Sequence, residues 1–201
     1  TRCEETVNRV PLRRDRWCEH GAVATYLDRI LDAHRQRAAS DRRDAAALID
    51  ACERMPPTRP FGAALVDAER LTVISEVKRR SPSKGDLRAD LDPAALAVRY
   101  ARGGAAALSV LTDGPHFGGS PDDLVAARGA VELPVLRKDF TVSALDVLDA
   151  RRMWADAVLL IVAALDDDEL HEFSALASRI GLGVLVETHD EAEVERAVAA
   201  T

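Results

Sequence analysis

The spacing of apolar residues changes character near residue 70. Before it, Tyr26, Leu27, Ile30 and Leu31 recur at helical spacing, with Asp28, Arg29, Asp32 and Arg35 on the opposite face. A second helical stretch, Asp44 to Arg54, turns Leu48 and Ile49 inward and is stopped by "MPPTRP", because proline lacks an amide hydrogen and restricts its predecessor. After residue 70, short runs rich in valine, isoleucine and leucine alternate with amphipathic stretches. "LTVISEVK", "AALSVLT", "PVLRKDF", "DAVLLIVAA" and "LGVLVET" read as strands, and Val73, Ile74 and Val77 place the first in a core. Each is followed by a helical pattern; Asp92 caps the first with Pro93 in its opening turn, and Ser120 caps the second. Residues 1–24 have no clean period and are read as an extension of uncertain order, 25–69 as a helical pre-barrel segment, and 70–201 as five strand–helix units.

Strands alternating with helices predict a parallel sheet covered by helices, either a doubly wound open sheet or a (β/α)₈ barrel. A dinucleotide-binding sheet carries a glycine-rich turn after its first strand, whereas here that strand runs into "RRSPSKG". A barrel builds its site from polar residues at the C-terminal ends of its strands. Such residues recur here: Glu76 and Lys78, then Thr112 and Asp113, then Lys138 and Asp139, then Glu187. The barrel is the favoured architecture.

Composition narrows the function. At 201 residues, 47% apolar, 30% charged and a net charge of −7, the chain has the balance of a globular protein and argues against nucleic acid as the main partner. No apolar run approaches a membrane span, and Arg2, Glu4 and Glu5 do not open a secretory signal, so the cytoplasm is the expected compartment. Cys3, Cys18 and Cys52 form no metal or disulfide spacing and are expected as reduced thiols; His20 beside Cys18 is set aside. His34, His116, His171 and His189 are scattered singly and expected at the surface or in loops.

The charged strand ends are the candidate chemistry. Glu76 and Lys78 are two apart and share one face of a strand, so they either pair as a plain salt bridge or serve a site. Arg137 and Lys138 face opposite ways, so one is placed to enter the barrel and the other to meet the helix layer or solvent; Lys138 is either a proton donor at the mouth or a strand-end lysine solvated at the rim. Glu187 ends an apolar strand and is a candidate base, Thr188 or Asp190 being better suited to cap the next helix. "RRSPSKGDL", with Ser81, Ser83, Lys84 and Gly85, is a polar loop suited to a lid, and Phe117 in "LTDGPHFGGS" is an apolar contact for an aromatic substrate or a loop anchor.

The motifs "SEVKRRSPSKG", "LSVLTDGPHFGGS", "PVLRKDF", "DAVLLIVAAL" and "LVETHDEAEVERA", in this order and spacing, resemble indole-3-glycerol phosphate synthase from about Tyr26 onward. The resemblance implies a (β/α)₈ barrel of tryptophan biosynthesis that acts on 1-(2-carboxyphenylamino)-1-deoxyribulose 5-phosphate, closing the indole ring with loss of carbon dioxide and water. It implies neither a metal nor an organic cofactor. By motif, Lys138 is similar to the general acid, Glu187 to the base, Lys78 to a lysine that anchors substrate and assists proton transfer, and Glu76 to an acid that positions substrate. Ser81 and Phe117 fall on substrate-binding positions, the latter beside the anthranilate ring. The family pattern continues with three more units that carry most of a phosphate cup. That leaves an alternative, a non-catalytic partial barrel associating through open sheet edges or completed by a further segment. A phosphoribosylanthranilate isomerase would need a cysteine ending the first strand, and the three cysteines all precede it.

Overall fold

A computed structural model describes residues 26–66, 69–82 and 84–200. The extension 1–24, with Cys3, Cys18 and His20, and Ser83 of the polar loop lie outside the described residues. Five parallel strands, β1 (Ile74–Val77), β4 (Ala107–Leu111), β5 (Val135–Lys138), β6 (Ala157–Ile161) and β7 (Gly183–Glu187), form one sheet in sequence order. The remaining two strands, β2 (Arg80–Ser81) and β3 (Gly85–Asp86), pair antiparallel as a separate hairpin. Parallel neighbours need a crossover, and helices α4 (Pro93–Arg102), α6 (Pro121–Ala130), α7 (Ala144–Arg152) and α8 (Asp167–Arg179) supply one between each pair; α9 (Glu191–Ala200) follows β7.

Every residue of β4 and β6 is buried, because helices cover one face and the enclosed interior the other. Leu108, Val110, Leu136, Val158 and Leu160 are fully buried with Leu124, Val147, Leu148 and Leu170 of the helices, each stabilising the fold by about 1.5–3 kcal/mol. The outer strands β1 and β7 are mostly half-buried. Val73 does not belong to the core as expected: the strand begins at Ile74 and Val73 is 47% exposed. Local chemistry explains the helix starts. Asp92, Ser120 and Ser143 accept amide hydrogen bonds at the starts of α4, α6 and α7, and Asp166 with Glu169 forms a capping box on α8.

The pre-barrel segment holds the sheet at both ends. Helix α1 (Tyr26–Ser40) lies near the C-terminal ends of the strands, where Arg35 donates to the Glu169 carboxylate at 2.7 and 2.9 Å and to the Ala164 carbonyl at 2.8 Å. Helix α2 (Ala45–Glu53) packs on α7 and buries Cys52, whose thiol burial pushes up, away from nucleophilic thiolate. The proline-rich stretch that stops α2 has a second task. With the short helix α3 (Phe61–Ala64) it closes the N-terminal end of the sheet. Arg59 donates its amide to Asp156 at 2.8 Å and its guanidinium to the carbonyls of Leu133 at 2.8 Å and Arg128 at 3.1 Å. Asp156, immediately before β6, has no exposed surface; it also accepts from the Arg128 guanidinium at 2.9 and 3.0 Å and from the Val135 amide at 3.0 Å. Among the described residues no helix is long and apolar enough to cross a membrane.

Candidate active site

At the C-terminal ends of the strands lies a cavity of about 370 Å³. Leu111, Leu159 and Ile161 form its apolar floor, and Leu27 of α1 reaches into it. Glu76, Lys78, Lys138 and Glu187 all line it, so the four charged residues singled out by their positions in the sequence converge although they come from separate strands. Lys138 Nζ donates to Glu187 Oε2 at 2.8 Å, crossing from β5 to β7 over β6. Lys78 Nζ pairs with Glu76 Oε1 on the opposite side. All four side chains are 28–35% exposed, dry enough for strong electrostatics and open enough to meet a ligand.

The parity of β5 decides the roles of its two cations. Lys138 turns into the cavity, while the buried Arg137 turns toward the helix layer. Arg137 donates to Thr112 Oγ1 at 3.2 Å, Asp139 Oδ2 at 3.0 Å and the Asp146 carbonyl of α7 at 2.9 Å. Thr112 and Asp139 are also bonded to each other, and Asp139 accepts from the Phe140 amide at 2.8 Å, which fixes the chain next to Lys138.

Phe117 and Phe140 make the aromatic wall, 6.2 Å apart at 41°. Phe117 sits on the short helix α5 (Gly114–Phe117), capped by Asp113 and closed by Gly118 at φ 65°. The next residue must also be glycine: a Cβ on Gly119 would lie 2.1 Å from the Leu111 carbonyl oxygen, so the loop folds flat against the end of β4. Ser81 is in β2 and is not among the residues lining the cavity. Its segment is a hairpin rather than an irregular loop, and Arg80 ties it to the carbonyls of Pro115 at 2.6 Å and Gly114 at 3.3 Å. Glu187 is not a helix cap; Asp190 accepts the Glu193 amide at 2.8 Å at the start of α9.

Asp113 and Asp139, noted in the sequence only as polar strand ends, also face the cavity, with Phe140 and His189, which sequence reasoning did not select. His34, expected at the surface, is 6% exposed. It follows Leu27, Ile30 and Leu31 at helical spacing, which was the available signal. Arg37 donates to His34 Nδ1 at 2.8 Å, so Nδ1 accepts and Nε2 carries the proton given to Asp113 at 3.1 Å. Asp113 also accepts from the His116 amide at 2.7 Å and its ring at 3.1 Å, and the His34 ring leans on Phe140 at 5.2 Å. His34, Asp113 and Asp139 have donor atoms close enough to hold a metal ion. Their chemistry does not suit one: Nε2 is a donor, Asp113 serves two imidazoles, and Asp139 faces a guanidinium.

Burial raises the Asp113 carboxyl, but the His34 bond and the amide and ring of His116 outweigh it and hold the group well below the usual carboxylate range. A carboxyl lowered on folding contributes stability that is whole above its unfolded value of about 3.8 and drains away as pH falls below it. Asp113→Asn is therefore expected to lose about 1–3 kcal/mol at pH 7. The gap between the urea midpoints of parent and variant should narrow as pH falls below about 3.8; a gap independent of pH excludes this account.

Known proteins are similar to this chain along most of its length. Residues 27–201 match the family model described as indole-3-glycerol phosphate synthase. Among curated relatives, the indole-3-glycerol phosphate synthase of Hyphomonas neptunium is 48% identical over 181 residues, 88% of this chain and 68% of the relative. That of Paenarthrobacter aurescens is 54% identical over 166 residues, 79% and 61%, and that of Laribacter hongkongensis 50% over 181 residues, 88% and 69%. The chain thus spans about two thirds of the length of these relatives. The family is a (β/α)₈ barrel, and β1, β4, β5, β6 and β7 with their helices correspond to consecutive strand–helix units of it. The profile over 27–201 and the agreement with its curated members place this chain in the indole-3-glycerol phosphate synthase family.

Proposed function

We propose that this chain carries the acid–base machinery for converting 1-(2-carboxyphenylamino)-1-deoxyribulose 5-phosphate to indole-3-glycerol phosphate, a carboxy-lyase reaction. The observation that carries the reading is the Lys138–Glu187 pair set at one cavity with the Lys78–Glu76 pair, an apolar floor and the wall of Phe117 and Phe140. The aromatic ring of the substrate lies against Phe117 and Phe140. Lys138 protonates the ribulose carbonyl oxygen as the ring carbon attacks it, and carbon dioxide then leaves. Glu187 takes the proton released as the new five-membered ring becomes aromatic and water departs. Lys78 holds the substrate and assists proton transfer, and Glu76 orients Lys78 and shares in the dehydration. Each cation already rests on a carboxylate, so the quartet is neutral in pairs and can exchange protons without a change in its net charge.

The ligand is a phosphorylated small molecule, and its chemistry fits a cytoplasmic biosynthetic enzyme. Family membership favours this reading over a non-catalytic partial barrel. The test is indole fluorescence on adding the substrate to the purified chain. A substrate-dependent rise with matching release of carbon dioxide supports the proposal. A folded chain that binds the substrate but yields neither signal overturns it for this polypeptide.

A further inference from the structure

His189 is not used by the mechanism above, yet it lines the cavity two residues beyond Glu187. Its Nδ1 lies 3.1 Å from Glu193 Oε2, and its backbone amide donates to the same oxygen at 2.7 Å. Glu193 stands in the first turn of α9, its own amide bonded to Asp190 at 2.8 Å, so the carboxylate is fixed. A carboxylate only accepts, which assigns the Nδ1 proton and leaves Nε2 as the free edge of the ring. That edge faces Glu187 Oε1 at 3.6 Å, while Glu187 Oε2 is held by Lys138.

Nε2 of a neutral ring and a carboxylate oxygen are both acceptors. At 3.6 Å they are beyond a direct hydrogen bond, and a small turn of the exposed ring or one bridging water is enough to connect them. We propose that His189 is the route by which the proton taken by Glu187 leaves the site. This rests on the assignment of Glu187 as base. In the step, the substrate C–H bond breaks and a Glu187 O–H bond forms, with the electron pair staying in the ring. The O–H bond then breaks as Nε2–H forms, giving an imidazolium beside a carboxylate. The ring is 57% exposed and returns the proton to water, so Glu187 is a carboxylate again. The charged groups that face His189 are Glu187 from β7, Glu193 and Asp190 at the start of α9, and Lys138 of β5 across the Glu187 carboxylate. His189 is a relay acting through Glu187, not a residue that reacts with substrate.

Nitrogen NMR of the His189 ring at one fixed pH tests the contact without any turnover. Replacing Glu187 by Gln should move the Nε2 signal, which faces Glu187, and leave the Nδ1 signal, held by Glu193, little changed. An Nε2 signal indifferent to Glu187→Gln overturns the proposal. Kinetics test the route. His189→Ala should lower kcat about tenfold with KM little changed, as expected when one proton-transfer partner is lost, and free imidazole should restore the rate. A loss of kcat that imidazole does not restore, or no loss, overturns the relay. A chain whose Nε2 signal responds to Glu187→Gln but that shows no turnover in any form would instead count against the proposed reaction and leave the Glu187–His189 contact standing.

Discussion

Lys138→Ala is expected to remove indole formation almost entirely, lowering kcat by about 10²- to 10⁴-fold, the range for a positioned general acid. The change also strips Glu187 Oε2 of its hydrogen bond, so both halves of the proton exchange suffer at once. Lys138→Arg separates charge from proton donation. An arginine keeps the positive charge beside Glu187 but does not release a proton near neutral pH. If Lys138 is the acid, the arginine variant should be nearly as slow as the alanine variant at saturating substrate. If it retains a tenth or more of the parent rate, Lys138 acts only as a positive charge, and the acid must be sought elsewhere, with Lys78 the first candidate.

The largest loss of stability is expected far from that chemistry. Asp156→Ala removes a wholly buried carboxylate that gathers the Arg128 guanidinium, the Arg59 amide and the Val135 amide. Breaking a buried pair leaves its partner charged and unsatisfied, at about 3–5 kcal/mol. For a chain of this size the melting temperature should fall by roughly 10 °C. Glu132→Ala is the control. Glu132 also pairs with Arg59, at 3.6 Å, but its side chain is fully exposed and should leave the melting temperature unchanged. A small shift for Asp156→Ala would mean that the proline-rich closure holds without its carboxylate.

The barrel strands and most helices could be read from the chain because local and global preferences agree there. Asp92 and Ser120 cap where the apolar period changes, and β6, buried on both faces, is an unbroken apolar run. The charged quartet was readable for the opposite reason: Glu76, Lys78, Lys138 and Glu187 interrupt such runs, and a fold tolerates interruptions where a site needs them. What was not readable depends on distant partners. The His34–Asp113 bond joins residues 79 apart, and helical spacing cannot distinguish a histidine with a buried carboxylate from one in water. The β2–β3 hairpin is too short to show a period, and the contacts of Arg59 exist only once β5 and β6 are in register. His189 was within reach: the two-residue spacing that joined Lys78 to Glu76 also joins His189 to Glu187.

The closure around Asp156 and the cavity around Lys138 stand at opposite ends of the same strands. Strand β5 is anchored at Val135 and performs its chemistry at Lys138, with Leu136 and Arg137 between. Such a separation has an evolutionary consequence. Substitutions in the loops at the open end can alter the ligand while the anchors at the closed end keep the chain folded, so selection can act on activity and on robustness almost independently. A laboratory search for altered substrate preference should therefore tolerate diversity at Phe117 and Phe140 and meet a wall of unfolded variants at Asp156, Arg128 and Arg59.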